Sequence, residues 1–384
     1  MSIQHTYPKI LVTFCSVLLS AFSLAQTDST KSRLNISADF RFRIEQDWNS
    51  RRSDGTMRDD RSRLRYRARI GMGYKINEWA SFGTRIRTGN PKKQQDPQLT
   101  LGDEFGEFGL QRIGFEKLFF QVEKQGFTFW AGKNTFPFEK SNELFWSDNV
   151  FPEGVLLKKN FNLTSGIFDQ VDLRAGHFIL RTSGSSFSDD SYFQGVQANS
   201  SFFNGSLEVF PSFYFFKNIA DIPDGAETTL LDYVIFHLGS RVRVKDNPLI
   251  QLELDYYANL ENYDNNDAIQ RNLRNDKGGV TAAASLGKLD SKGDWFFKAT
   301  YTYLERFSAV DFMAQNDWAR WDYSAFDSPD GRLTNLQGAE IFVGYMLADN
   351  LSLITKYYHV RQLVALGPFK ETNDRIRFDI DVWF

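Results

Sequence analysis

Residues 61–72, which read RSRLRYRARIGM, carry the sharpest structural signal in the sequence. The five arginines of this stretch occupy alternate positions and are Arg61, Arg63, Arg65, Arg67 and Arg69. From position 64 onward the residues between and beyond them are mainly apolar or aromatic. Successive side chains of a β-strand point to opposite faces, so a strand here has a guanidinium face and an apolar face. Unpaired buried charges are costly, so the charged face must meet water or carboxylates. The solvated face of a soluble sandwich and the inner wall of a membrane barrel both fit this stretch.

The same alternation recurs along the chain in segments long enough to favour the membrane barrel. Residues 34–45 alternate apolar and polar side chains, and residues 250–259, 295–303 and 375–384 do the same. A tilted transmembrane strand needs about 9–11 residues, whereas strands of soluble proteins usually have about 5–6. The sequence therefore predicts an all-β fold, a transmembrane antiparallel up-and-down β-barrel.

The connections between these segments alternate between short and long. Short turns are predicted near 75–78, 123–126, 164–166, 204–205, 246–248, 290–294 and 348–350. Long polar connections are predicted near 47–60, 90–109, 134–152, 182–190, 217–230, 261–276, 307–334 and 362–373. This is the pattern of short periplasmic turns and long external loops. The alternation is consistent only if residues 154–161 form a strand, which gives 16 strands; 14 and 18 are the alternatives.

The N-terminus is typical of an export signal. Lys9 precedes a short apolar stretch, residues 10–24, and Ser23-Leu24-Ala25 has the small-x-small pattern of a cleavage site. We expect residues 1–25 to be a signal peptide and residues 26–384 to form the barrel; a retained anchor helix is the alternative. The single cysteine, Cys15, lies in the signal, so the mature chain has neither a disulfide nor a thiolate metal site.

Composition and motifs argue against several other classes of protein. The net charge of −3 gives no reason to expect a nucleic-acid partner, and aromatic residues make up 16% of the chain. Aromatic residues expected at the membrane interfaces are Tyr74, Trp79, Trp130, Trp295 and Trp383. No Gly-x-Ser-x-Gly or phosphate-loop motif is present, and the three mature histidines lack metal-ligand spacing. We therefore expect no enzyme, no cofactor and no metal. Solvated loops explain the acidic stretches 221–227 and 264–267 better than Ca²⁺ sites.

Three stretches resemble the putative porin family of Gram-negative bacteria, relatives of the 16-stranded general porins. They are residues 85–91, RIRTGNP, residues 131–138, AGKNTFPF, and residues 146–155, WSDNVFPEGV. Lys133 is a departure, because we expect arginine there in this family. The final Phe384 resembles the C-terminal assembly signature of outer-membrane proteins. The resemblance implies a pore in the cell outer membrane, surrounded by outer-membrane lipid, for passive diffusion of small hydrophilic solutes and ions. It also leads us to expect a homotrimer.

These considerations predict the residues of the pore. The expected pore-lining arginines are Arg41, Arg43, Arg61, Arg63, Arg65, Arg67, Arg69, Arg85 and Arg87. In general porins the loop after the fifth strand folds inward, so carboxylates of residues 134–153 are expected to face these arginines across a constriction. Those carboxylates are Glu139, Glu143, Asp148 and Glu153. An alternative role for the arginines is pairing with Asp39 and Glu45 to hold the wall. A substrate-specific channel that prefers anions and a closed structural or adhesive barrel are the alternative functions.

Overall fold

The computed structural model of the chain describes residues 32–92, 94–95, 97–102, 110–163, 167–220, 230–321 and 333–384. The predicted signal peptide, the predicted turn at 164–166 and the acidic stretch 221–227 lie outside the described residues. Within the described part of the chain, no helix has the length and apolar character needed to cross a membrane.

Sixteen strands form the wall of the molecule. They are β1 Leu34–Arg51, β2 Arg61–Lys75, β3 Ala80–Thr88, β4 Ile113–Lys124, β5 Phe127–Lys133, β6 Glu153–Asn162, β7 Phe168–Arg181, β8 Ser191–Phe202, β9 Leu207–Ala220, β10 Leu230–Asp246, β11 Leu249–Asn259, β12 Gly278–Gly287, β13 Trp295–Leu304, β14 Leu336–Ala348, β15 Leu351–Gln362 and β16 Thr372–Trp383. Inside the loop after β3, the two-residue strand Leu99–Thr100 pairs with β2.

Each wall strand pairs antiparallel with the next, and β16 pairs with β1, so the sheet closes into a barrel. The predicted fold and the count of 16 strands are therefore confirmed. The strand expected at 154–161 is β6, which begins one residue earlier and ends one residue later. Closure removes the exposed sheet edge and satisfies the backbone hydrogen bonds within the wall, as a span through lipid requires.

Short turns and long loops lie at opposite ends of the barrel, as the sequence predicts. The turn between β4 and β5 has only two residues, and both Gln125 and Gly126 adopt positive φ, 50° and 76°. Asn204 and Gly205, between β8 and β9, do the same at 56° and 71°. Positive φ in a tight turn matches the right-handed twist of the flanking strands, and asparagine and glycine tolerate it best.

The two faces of the strands differ as the alternation predicts. On β2, Ile70 is 54% exposed on the outer face, whereas Arg67 on the inner face is 5% exposed. Four of the five predicted interfacial aromatics are exposed: Tyr74, Trp79, Trp295 and Trp383. The prediction for Trp130 is wrong, because its side chain points inward, is 3% exposed and packs on Phe178 with ring centroids 5.7 Å apart.

Ile70→Arg is expected to lower the free energy of unfolding by about 2–4 kcal/mol, because it places a charge in the apolar outer band. Urea titration in lipid vesicles measures the change. Ile76→Arg is the control: Ile76 is similarly exposed but lies in the turn between β2 and β3, where an arginine reaches water and should change stability by about 0.5 kcal/mol or less. Equal losses in the two variants would show that Ile70 does not face lipid.

Candidate functional site

The inner faces of four adjacent strands, β16, β1, β2 and β3, carry eleven arginines, which we call the arginine wall. They are Arg41, Arg43, Arg61, Arg63, Arg65, Arg67, Arg69, Arg85, Arg87, Arg375 and Arg377. All nine arginines predicted to line the pore lie here. Arg375 and Arg377 were not predicted, although residues 375–381 alternate in the same way as β2. They join the wall because β16 closes on β1, where Arg375 is the register partner of Asp47.

The arginine wall is a network of ion pairs. The side chain of Arg43 donates to Asp379 at 2.7 Å, and Arg85 donates to Glu116 at 2.5 Å. Arg375 donates to Asp47 at 2.6 Å. The carboxylates in contact with the wall are Asp39, Glu45, Asp47, Glu116, Asp317, Asp379 and Asp381. The pairing expected for Asp39 and Glu45 is thus present. Among the described residues, seven carboxylates thus contact the eleven arginines of the wall.

Loops that fold into the barrel cover the middle of the arginine wall. Arg65 and Arg67, at the centre of the β2 row, are each about 5% exposed, whereas Arg61 and Arg69 toward its ends are partly accessible. The backbone carbonyl of Gln98, in the loop after β3, accepts a hydrogen bond from Arg65 at 3.0 Å. Solutes inside the barrel can therefore contact only part of the row.

The loop between β5 and β6, residues 134–152, lies inside the barrel; we call it the first inner loop. Its anchor is aromatic. Trp146 is fully buried and stacks on Phe136 at 4.6 Å, and Phe145 stacks on Tyr214 of β9 at 4.8 Å. Inward-facing aromatic residues of β7, β8 and β9 provide the surface on which the loop packs. Aromatic pairs of this kind bury large apolar areas, which holds the loop against that side of the wall.

Two carboxylates of the first inner loop are not positioned to face the arginine wall. Glu139 pairs with Arg241 of β10 at 3.3 Å and with Arg174 of β7 at 3.8 Å, on a different sector of the barrel. The side-chain carboxylate of Glu143 bonds within its own loop, where it accepts a hydrogen bond from the backbone N–H of Asp148 at 2.9 Å. The aromatic anchor places Glu139 on this sector, since β7, β9 and β10 carry both the apolar surface and the two arginines.

The other two predicted carboxylates lie in different surroundings. Asp148 pairs with Lys140 at 2.6 Å and keeps 67% of its side chain exposed. Glu153 does not belong to the constriction. It is the first residue of β6, shares the outer face with Val155 and pairs with Lys133 of β5 at 2.6 Å. Its placement in the loop was wrong because β6 starts one residue earlier than predicted, and strand parity turns position 153 outward.

Among the loop residues that the structure describes, Asp317 is the carboxylate that reaches the arginine wall. It lies in residues 305–321, which follow β13 and which we call the second inner loop, and it pairs with Arg377 of β16 and, at 3.6 Å, with Arg43 of β1. Burial alone would raise the pKa of Asp317, but the neighbouring guanidinium charges, foremost Arg377, hold that pKa well below its usual range. No local pattern distinguishes Asp317 from other acidic loop residues, so its role could not be predicted from the sequence.

A cavity of about 420 Å³ opens between the inner loops and strands β13, β14 and β15. Its lining includes Asp148, Lys298, Gln315, Trp318, Glu340 and Lys356. Lys356 pairs with Glu340 at 3.2 Å, and Lys298 pairs with Glu253. Paired charges of both signs make this lining hydrophilic, so the cavity suits water and polar solutes.

In the described part of the chain, no three histidine, cysteine or carboxylate side chains come together in a group that could hold a metal ion. In the acidic stretch 264–267, Asp267 pairs with Arg274 at 3.4 Å.

His237 is buried and bonds to Asp255 at 2.8 Å. Its neighbours are the aromatic rings of the inner wall, such as Tyr257, with ring centroids 4.7 Å apart. The burial of His237 among these rings indicates a structural role.

Comparison with known proteins agrees with the resemblance seen in the sequence. The model of the putative porin family matches residues 45–232. The structure of OprB from Pseudomonas putida at high pH is similar to this chain, with a TM-score of 0.55 and 13% identity over 91% of this chain and 94% of that one. OmpF from Salmonella typhi, in a complex with daunomycin, gives a TM-score of 0.52 and 12% identity over 91% and 97%. At these identities the likeness concerns the fold. No curated protein matches the sequence.

Proposed function

We propose that this chain, which matches the putative porin family over residues 45–232, is an outer-membrane porin through which small hydrophilic solutes and ions diffuse passively. The observation that carries the proposal is a hydrophilic cavity inside a closed 16-stranded barrel whose inner face is charged and whose outer face is apolar. Small barrels are filled by their own side chains, whereas barrels of about 16 strands leave an aqueous channel. Family and fold point to a channel rather than an enzyme.

The accessible arginines of the wall favour a preference for anions. Arg41, Arg69 and Arg85 each keep about one-fifth of the side chain exposed, so this positively charged sector is accessible to water. Inside a narrow pore with low-dielectric walls, such a sector raises the local concentration of anions. An anion-preferring channel is thus the second candidate function, with the same barrel and a narrower range of solutes.

The purified protein in a planar lipid bilayer is expected to show discrete conductance steps and a reversal potential in a salt gradient that favours anions. A current that saturates with a particular solute, and is blocked by it, would identify a substrate-specific channel instead. Absence of conductance from a correctly folded barrel would favour a closed structural or adhesive protein and overturn the proposal. Folding is checked by the different gel migration of unheated and boiled samples.

Residues 1–25 are proposed to be removed on export, with residues 26–384 inserted in the cell outer membrane among its lipids. The long loops would then face outward and the short turns the periplasm. A homotrimer is proposed on the resemblance alone. Fractionation of cells, N-terminal sequencing of the mature protein and chemical cross-linking in detergent test these three statements separately.

A further inference from the structure

We propose that the second inner loop, residues 305–321, is a second constriction element, and that Asp317 latches it to the arginine wall. In this arrangement Asp317 determines both the width and the charge selectivity of the pore. The inference rests on the proposed pore function and deepens it, because it assigns selectivity to a residue that lies far along the chain from the first inner loop.

The latch is built from charges on three parts of the barrel. The Asp317 carboxylate pairs with Arg43 on β1 and with Arg375 and Arg377 on β16. Arg375 also donates to two backbone carbonyls of the loop, those of Asn316 at 3.1 Å and Asp317 at 2.6 Å. Side-chain and backbone contacts thus fix the same short segment to the point where the last strand closes on the first.

Aromatic packing supports the latch next to the ion pairs. Trp318 is buried and meets Tyr358 of β15 edge to face, with ring centroids 5.6 Å apart. Arg377 lies over the ring of the same Tyr358 at 5.8 Å from its centroid. The segment therefore has an apolar anchor beside its charged one, which restricts its movement along the wall.

The second inner loop is also tied to the first. The backbone N–H of Ser147 donates to the carbonyl of Met313 at 2.7 Å, and that of Gln315 donates to the carbonyl of Glu143 at 3.0 Å. The side-chain amide of Gln95, from the loop after β3, donates to the carbonyl of Ala314 at 2.6 Å. Three loops thus form one hydrogen-bonded partition within the barrel.

The position of this partition sets the proposed selectivity. Gln315 and Trp318 line the cavity, while Asp317 between them faces the arginine wall, so the segment separates the cavity from Arg43, Arg375 and Arg377. Release of the segment would widen the cavity and expose those arginines. It would also move the Asp317 carboxylate away from the wall arginines that it offsets.

Asp317→Asn is the test, with single-channel conductance and the reversal potential in a salt gradient as readouts. The latched loop should loosen, conductance should rise, and the anion-to-cation permeability ratio should increase about threefold. One charge several ångströms from the ion path, screened at about 0.1 M salt, is expected to have an effect of this size. The Asp317 carboxylate repels anions and attracts cations, so its loss changes the two permeabilities in opposite directions.

Two further variants separate the latch from a simple change of charge. Asp290→Asn makes the same chemical change at an exposed carboxylate in the short turn between β12 and β13, away from the cavity lining, and should leave conductance unchanged. Trp318→Ala changes no charge but removes the apolar anchor, and should raise conductance. Equal rises for Asp290→Asn and Asp317→Asn, or no rise for Asp317→Asn and Trp318→Ala in correctly folded barrels, would overturn the latch. A wild-type protein without conductance would instead overturn the proposed function.

Discussion

Asp379→Asn is expected to lower the free energy of unfolding of the barrel by about 3–5 kcal/mol. Asp379 is fully buried on β16, and its carboxylate accepts two hydrogen bonds from Arg43, at 2.7 and 3.0 Å. Arg41 and Arg377 lie within 3.7 Å of the same carboxylate. An amide keeps the shape but not the charge, so the buried guanidinium group of Arg43 would be left without its main partner.

Urea-induced unfolding in lipid vesicles measures this loss. Glu153→Gln is the matched control, because it makes the same change from carboxylate to amide in an ion pair on the outer rim of the barrel, where 62% of the side chain is exposed. Exposed pairs contribute about 0–1 kcal/mol, so the control should be close to wild type. Similar values for the two variants would mean that the arginine wall does not depend on its buried carboxylates.

Trp146→Ala is expected to release the first inner loop from the wall and to raise single-channel conductance while the barrel stays folded. Trp146 is completely buried, stacks on Phe136 and packs on Phe193 of β8 at 5.2 Å, and its indole N–H donates to the carbonyl of Val150 at 2.8 Å. Truncation of such a side chain costs about 3–5 kcal/mol. That loss would raise the population of undocked loop more than about a hundredfold.

Current recordings provide the measurement, with conductance and open-channel noise both expected to increase. Trp79→Ala is the control, since Trp79 is exposed in the turn between β2 and β3, at the end of the barrel opposite the long loops. Heat-dependent gel migration verifies that each variant is folded. An unchanged conductance with Trp146→Ala would show that the loop is held by its other contacts or does not limit the current.

The arginine wall therefore has two roles that place different demands on its residues. Its central arginines, such as Arg65 and Arg67, are buried and paired with carboxylates, which makes them part of the structure. Its partly exposed members, such as Arg41 and Arg85, are the ones a solute can meet.

The architecture of this protein could be predicted from the sequence, because strand periodicity is a local property. A strand with arginine at every second position from 61 to 69 can have only one charged face, and the turn chemistry of Gln125-Gly126 and Asn204-Gly205 marks where strands reverse. The lengths of the strands and the alternation of short and long connections then predict 16 strands. The same alternation predicts that all the long loops lie at one end of the barrel. The alternation of charged and apolar positions likewise predicted that the arginines point into the barrel.

Which loop charges meet the wall depends on the folded structure. Asp317 and Arg43 are separated by more than two-thirds of the chain, and Arg377 reaches β1 only because the barrel closes. Glu139 was expected to face the β2 row, but the packing of the first inner loop on aromatic residues of β7 to β9 placed it beside Arg174 and Arg241. Ion pairs between loops and walls depend on how each loop folds into the lumen, and that is set by apolar packing between residues distant in sequence, which no local pattern records.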